Sequence, residues 1–505
     1  MRWKSLLMVM SGSLVWGMTG PAALHAQTVE ILAADQIARD PSITEAQRLL
    51  GNVKLGHQDA VLTCDSAWRF DNGNVKVFGH VHMDQPPATT MDAEYLFMDA
   101  ASEWTVAEGQ VRMDHEGTVL EAPSIRYHVG KRRARYAESA SIDEGEWTLS
   151  SLYGAYDAEA ERLELGTEVL AIRDADTLRS DSLHWWREAG RYRFFGPTSW
   201  RSPELAFDCQ TGDVDMPSTE ASEAQPEGWM AGDVHVQDGS EHVRGDSLAW
   251  NEEAHEVWGH VMLWSDDGLN EVHGHHALET TLDSAQSVQG LPSQLAWLRQ
   301  IDGEDTLHVA GMDLHRRQGV LTVVDSVNIL SGELMGQGDS LVWWAKDSVL
   351  QVWGRPQLWA GGDRLSGDSL RLLMRNQRPD MLEMRGHSVV LSPANDSLAH
   401  RIQGRDLDAH FVDGALTTVE VLGNGELTYF EGAAEGSSTL RMNQALCAEV
   451  TLALVDQKLS GLTLHNSPKG TLRPLVGGMD LAPFQLPLRP TWNLWETSEQ
   501  RGPAD

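Results

Sequence analysis

The 505-residue chain contains only three cysteines, Cys64, Cys209 and Cys447, far apart in the sequence. A disulfide-stapled scaffold is excluded by so sparse a set. One bridge, or three thiols acting as small buried hydrophobes, both fit. Positive charge is also scarce. Thirty-nine Lys and Arg face 74 Asp and Glu, a formal charge of −35. Nucleic-acid binding rests on cations that neutralise phosphates, so no nucleic-acid partner is expected, nor is docking on an anionic membrane surface. Apolar runs that could span a bilayer are missing as well. Tyr and Phe are few, at 7 and 9, whereas Trp reaches 19. Long amphipathic helical patterns are absent, and the best short helical candidates are Ser42 to Leu50 and Leu291 to Arg299. With 41% apolar residues the chain can still build a folded interior.

What is present at the start reads as an export signal over residues 1–26. Arg2 and Lys4 precede a mostly apolar stretch from Ser5 to Gly17, and small residues follow up to Ala26. Cleavage after Ala26 or Ala23 would deliver the chain to the periplasm, with association to the outer membrane as an extension of that reading.

Beyond the signal the chain repeats itself. One pattern is an apolar residue, two others, then Asp-Ser-Leu or Asp-Ser-Ala, often followed by Trp. It occurs at Asp65-Ser66-Ala67-Trp68, Asp181-Ser182-Leu183-His184-Trp185, Asp246-Ser247-Leu248-Ala249-Trp250, Asp339-Ser340-Leu341-Val342-Trp343 and Asp368-Ser369-Leu370. Most consecutive copies, weaker ones included, lie 26 to 31 residues apart, but between Asp246 and Asp313 the pattern lapses. The second pattern is an aromatic residue, Gly, any residue, then Val or Pro: Phe78-Gly79-His80-Val81, Phe195-Gly196-Pro197, Trp258-Gly259-His260-Val261 and Trp353-Gly354-Arg355-Pro356.

Both patterns have the period of strands. Val75, Val77, Gly79, Val81 and Met83 share one face. In the Asp-Ser-Leu segments the apolar residues before and after the Asp fall on opposite phases, so a one-residue bulge near the Gly-Asp step is expected. The expected fold is all-β, an elongated repeat of antiparallel strands in which each unit of about 28 residues buries its apolar face on its neighbours. The expected organisation is a first block over 27–215, an acidic linker over 216–228, a second block over 229–430, a C-terminal β segment over 431–470 and a Pro-rich tail over 471–505.

Motifs that suggest chemistry dissolve into the repeat. Gly-Asp-Ser-Leu, a lipase-type signature, occurs intact three times, at Gly245, Gly338 and Gly367, whereas a catalytic site needs one nucleophile with one base. The histidines between His235 and His276 include His273-Gly274-His275-His276, but no metal-binding framework surrounds them, so surface histidines are the default. The acids are spread along the repeats rather than gathered as a glycosidase pair. No enzyme activity, metal or cofactor is expected.

Leu50-Gly51-Asn52-Val53, Leu62-Thr63-Cys64-Asp65-Ser66-Ala67, Val77-Phe78-Gly79-His80-Val81 and Met91-Asp92-Ala93-Glu94-Tyr95-Leu96 resemble the OstA-like domain of lipopolysaccharide-transport proteins. The resemblance is strongest up to about residue 215. It implies an edge-open β-jellyroll whose apolar interior takes the acyl chains of lipopolysaccharide or another outer-membrane lipid. It also implies pairing with other transport components through terminal strand edges. The inward positions expected to line that core or groove are Val77, Val81, Leu183, Leu248, Val261, Leu341 and Leu370. Trp68, Trp185, Trp250 and Trp343 are expected to join them, either as a sealed core ladder or as the wall of a groove. A structural or adhesive solenoid that binds protein or glycan without lipid is the alternative.

Overall fold

In the computed structural model the described residues are 29–215, 227–303, 305–332, 334–375, 378–395, 397–413, 415–431, 440–455, 458–475, 480–485 and 490. The export signal, nearly all of the acidic segment and the end of the tail lie outside them. The described residues are almost entirely antiparallel strands joined by tight turns, with three single-turn 3-10 helices and no α-helix. No helix among them is long and apolar enough to cross a membrane. The chain divides into two compact units, residues 1–160 and 161–505.

In unit 1 the strands are β1 (Glu30–Ala33), β2 (Gln36–Arg39), β3 (Gln47–His57), β4 (Ala60–Arg69), β5 (Val75–Gln85) and β6 (Thr89–Asp99). They continue as β7 (Trp104–His115), β8 (Thr118–His128), β9 (Arg133–Tyr136), β10 (Ala140–Glu144), β11 (Trp147–Ser151) and β12 (Tyr153–Asp157). From β3 to β8 each strand pairs with the next in a meander. The short candidate Ser42 to Leu50 is no helix: its end opens β3, with Leu49 inward and fully buried. Leu291 to Arg299 likewise runs into a strand, Ala296–Asp302.

The two sequence patterns are the two sides of one structural feature. Between Thr63↔His82 and Ser66↔Phe78 the ladder slips: Asp65 alone faces the pair Gly79 and His80. Both members of that pair are left-handed, at φ 72° and 40°. The looped-out pair preserves the phase of β5, so Val77 and Val81 both point inward. The single Asp reverses the phase of β4, so Leu62 and Ala67 do too. The phase change expected near the Gly-Asp step therefore falls at the Asp. The same slip recurs at Gly51, Gly109, Gly196, Gly232, Gly259, Gly386 and Gly423.

Bulges bend strands, and here they align into a crease that folds each unit's sheet onto itself. In unit 1 the far half of β8 then meets the end of β5: Tyr127 Oη donates to Gln85 Oε1 at 2.6 Å, and Gln85 Nε2 donates to the Val129 carbonyl at 3.1 Å. Between the two layers lie Leu49, Leu55, Leu62, Met83, Leu96 and Ile125, all less than 2% exposed. Fully burying each such side chain contributes about 1.5–3 kcal/mol.

Unit 2 repeats the plan but its strands break at the crease twice, once where the motif lapses and once beside an intact copy. Asn270–Thr280 pairs with two separate strands, Ala285–Gln289 and Ala296–Asp302. Leu334–Trp344 likewise pairs with Val349–Trp353 and Gln357–Ala360. Across the undescribed acidic segment, Leu205–Asp215 and Glu227–Asp238 pair directly, with Asp215 opposite Glu227. Near the C-terminus, Lys469–Pro474 pairs with Arg441–Val455, and Phe484 packs on Phe430.

Candidate functional site

The mouth between the folded layers is polar in unit 1, where Asp59, Gln85, Val129 and Arg132 line a recess of about 780 Å³, and apolar in unit 2. In unit 1 a polar seam runs along it. Besides the Tyr127–Gln85 bond, Gln85 Nε2 reaches Asp59 Oδ1 at 2.7 Å, and Arg132 bridges Asp59 Oδ2 (2.7 Å) and the Pro86 carbonyl. Further along, Thr89 Oγ1 meets His115 Nδ1 at 2.8 Å, and the His115 ring packs on Tyr156. Burial holds the Tyr127 phenol up at about 12, so its proton stays available to donate to Gln85. Polar groups buried at a layer edge must pair or incur a desolvation penalty, and these pair with one another across the mouth.

In unit 2 the corresponding mouth is a cavity of about 200 Å³. One wall comes from Leu298, Leu307, Ile329, Leu334 and Leu358, and the other from Leu321, Trp343, Leu350, Leu372 and Met374. Register assigns the walls to opposite sides of the crease: Leu307 faces Ser331 in one layer, and Trp343 faces Leu321 and Leu350 in the other. Leu298, Leu307, Trp343 and Met374 are only partly buried while packing on the core, so their apolar surface fronts the opening. Asn270, Gln300, Arg316, Ser331 and Gln337 add polar groups to the lining. The arrangement can take an apolar chain inside and a polar group outside.

The sequence-predicted positions distribute over both units. Val77 (0% exposed) and Val81 (2%) are sealed inside unit 1. Leu183 and Trp185 are buried in unit 2, where Trp185 stacks on Tyr192 with ring centroids 5.5 Å apart. Val261, Leu341 and Leu370 belong to the unit 2 core, and Leu248 packs against it half-buried; Trp250 is half-buried as well. Of the eleven, Trp343 and Leu370 line the cavity. Trp68 departs from the other three tryptophans. It follows its Asp by three residues rather than four, so strand alternation turns it to the outer face, edge-on to Phe78 at 5.2 Å. Leu298, Leu307, Leu321, Ile329, Leu334 and Met374 are cavity residues that the repeat patterns do not single out. Their signal is the lapse of the motif between Asp246 and Asp313, which holds the first two and precedes the rest.

Other candidate chemistry takes ordinary structural forms. The rings of His235 and His242 stack on Trp264, and His242 Nε2 meets Asp266 Oδ1 at 2.7 Å. His273 lies flat on Trp297, centroids 4.0 Å apart, with Nε2 at 2.5 Å from Glu271 Oε1. Among the described residues, no three side chains of metal-ligand type converge. The three cysteines are free thiols, and burial pushes Cys64 up to about 11 and Cys209 up to about 12, far from the reactive thiolate range. The three intact Gly-Asp-Ser-Leu segments sit on the crease, where Asp246 and Asp368 contact the His260 and His387 rings of the next strand.

No curated protein sequence matches the chain. Among solved structures it is similar to the crystal structure of LptH, the LptA-homologous periplasmic component of the conserved lipopolysaccharide transport device from Pseudomonas aeruginosa. Identity is 13%, over 23% of this chain and 82% of that one, and the TM-score is 0.20, too low to carry a structural argument. The strand motifs and the creased antiparallel fold agree with the remaining comparison: residues 26–181 match the family model for OstA-like protein, so this chain carries an OstA-like region at its N-terminal end.

Proposed function

We propose that the protein is an exported, periplasmic, non-enzymatic component of lipopolysaccharide transport, in which the unit 2 mouth cradles lipid acyl chains. The observation that carries this reading is the contrast between the two mouths. Unit 1 presents paired polar groups at its mouth over a fully buried core, whereas unit 2 leaves Leu298, Leu307, Trp343 and Met374 at an apolar opening. Solvent-facing apolar surface is unfavourable by roughly 25 cal/mol per Å², and an acyl chain would remove that cost. The −35 charge confines lipid contact to the apolar interior, and the OstA-like match over 26–181 supports the transport context. The fully buried core of unit 1 favours a scaffold role for that unit, and terminal strand edges offer pairing surfaces for other transport components. Photo-crosslinking groups at Leu307 and Trp343 test the reading: lipopolysaccharide adducts are expected from both and none from Val81. Absence of adducts from both cavity positions would overturn it.

A further inference from the structure

Several arginines on the strands of this acidic protein are paired with a carboxylate directly across the ladder. Arg112 faces Glu121, Arg193 faces Asp213 and Arg371 faces Glu383, each as an ion pair. Arg126 and Arg135 depart from that pattern. In unit 1, Arg126 on β8 stands directly opposite Arg135 on β9. Both are exposed, and like charges in opposing positions destabilise a sheet. Both guanidinium groups instead lie over a single indole, 5.2 and 5.5 Å from the ring centroid of Trp104. The His128 ring meets the same indole edge-on at 5.1 Å.

No carboxylate among the described residues neutralises the pair. From Pro123 to Ala137 the sequence holds five cations and no acid. The nearby acids are placed elsewhere: Glu103 Oε2 lies 3.9 Å from His128 Nδ1, the Asp99 carboxylate accepts from the Ala101 N–H and the Ser102 hydroxyl, Asp157 stands opposite Arg133 and accepts the Ala160 N–H, and Glu108 stands opposite Ser124. Arg132 is committed to Asp59 at 2.7 Å. Two free guanidinium forks on one aromatic floor, with exposed Lys131 nearby, form a concentrated dication in a molecule of opposite net charge. Screening over about 8 Å at physiological ionic strength lets so local a charge act despite the acidic surroundings.

We propose that Arg126 and Arg135, gathered on Trp104, bind a phosphate monoester. Such a group carries about −1.5 to −2 charges at neutral pH and three acceptor oxygens, which matches two planar forks better than a single carboxylate does. The phosphate sits on the outer face of β8–β9 and relieves the repulsion between the two arginines. Its source is either a phosphorylated lipid headgroup or a soluble phosphate ester.

The test uses the full chain, with Arg126→Ala/Arg135→Ala as the variant and the acid-paired Arg112→Ala as control. Binding is read by calorimetric titration with inorganic phosphate and by co-flotation with phosphatidylcholine vesicles carrying either phosphatidic acid or the phosphodiester phosphatidylglycerol. Phosphate is also expected to raise the thermal midpoint of the wild type and not of the double variant. Because both side chains are exposed, the unliganded midpoint of the double variant should not fall. The expected result is monoester binding by wild type and Arg112→Ala, weakened on the order of tenfold or more in the double variant. Retention on phosphatidic acid vesicles alone identifies a headgroup, and response to inorganic phosphate alone identifies a soluble ester. Equal binding by the double variant, equal retention on phosphatidylglycerol, or no binding by the wild type would overturn the proposal.

Discussion

A side chain at Gly259 would place its Cβ 2.0 Å from Asp246 Oδ2, and the backbone there has φ +70°. The glycine is thus required twice, by conformation and by the carboxylate that fills the crease beside it. Gly268, at φ +67° with nothing within 4 Å of where a Cβ would stand, carries the conformational requirement alone. Gly259→Ala should therefore destabilise unit 2 by more than Gly268→Ala, with a cost of about 1–3 kcal/mol for the left-handed strain and more for the overlap. Adding Asp246→Ala should recover part of the difference. Denaturant titration of the three variants checks this, and equal costs at the two glycines would contradict the role given to the Asp. The spacing of Gly-x-Val and Asp-Ser-Leu made both patterns visible in the sequence. That they face each other across one slip in the ladder was not visible, because cross-strand register is a property of pairing rather than of either strand. Trp68 shows the limit at its finest: one residue of spacing from Asp65 decides its face, and composition alone groups it with Trp185, Trp250 and Trp343.

At the scale of elements, what distinguishes the two mouths is the chemistry at strand ends. Gln85 closes β5 and Tyr127 stands near the end of β8, and their contact spans the fold of the sheet. Tyr127→Phe removes the donor and leaves Gln85 Oε1 without it, so a loss of about 1–3 kcal/mol is expected in the unfolding free energy of unit 1. The same change should increase accessibility of the unit 1 interior, read as faster hydrogen exchange of the amides in β5 and β8. A wild-type exchange pattern in the variant would show that the seam does not hold the layers together. The strands themselves were legible from their alternation, as at Val75 to Met83. The cavity was not, because part of its lining comes from Ala296–Asp302 and Asp305–Gly311, where the repeat lapses.

At the scale of the molecule, acid should weaken the fold through its buried histidines. Burial holds His57, His128, His184, His235, His273 and His308 below the usual value of 6.5, and His400 at about 4. His400 is 7% exposed, and its Nδ1 accepts the Phe430 N–H at 3.1 Å, a role that needs the neutral ring. A depressed histidine pKa means that the unfolded chain binds protons first. The stabilisation is thus complete above about pH 6.5 and is lost as pH falls towards about 4. Asp363, raised by burial to about 6, acts in the opposite direction, because its protonation on acidification removes a buried charge. His80, exposed and raised by its hydrogen bond to Asp65, also opposes the trend. The buried, lowered histidines outnumber both, so the thermal midpoint should drop between pH 6.5 and 4, and His400→Phe should flatten that slope. An unchanged slope in this variant would contradict the assignment of His400.

The lipid reading rests on the difference between the two interiors, and crosslinking in cells measures that difference directly. With photoreactive groups placed at Leu307 and Trp343 in the unit 2 mouth and at Val81 in the buried core of unit 1, lipopolysaccharide adducts are expected from the first two and none from the third. Adducts absent from Leu307 and Trp343, in cells where the protein is present, would contradict it.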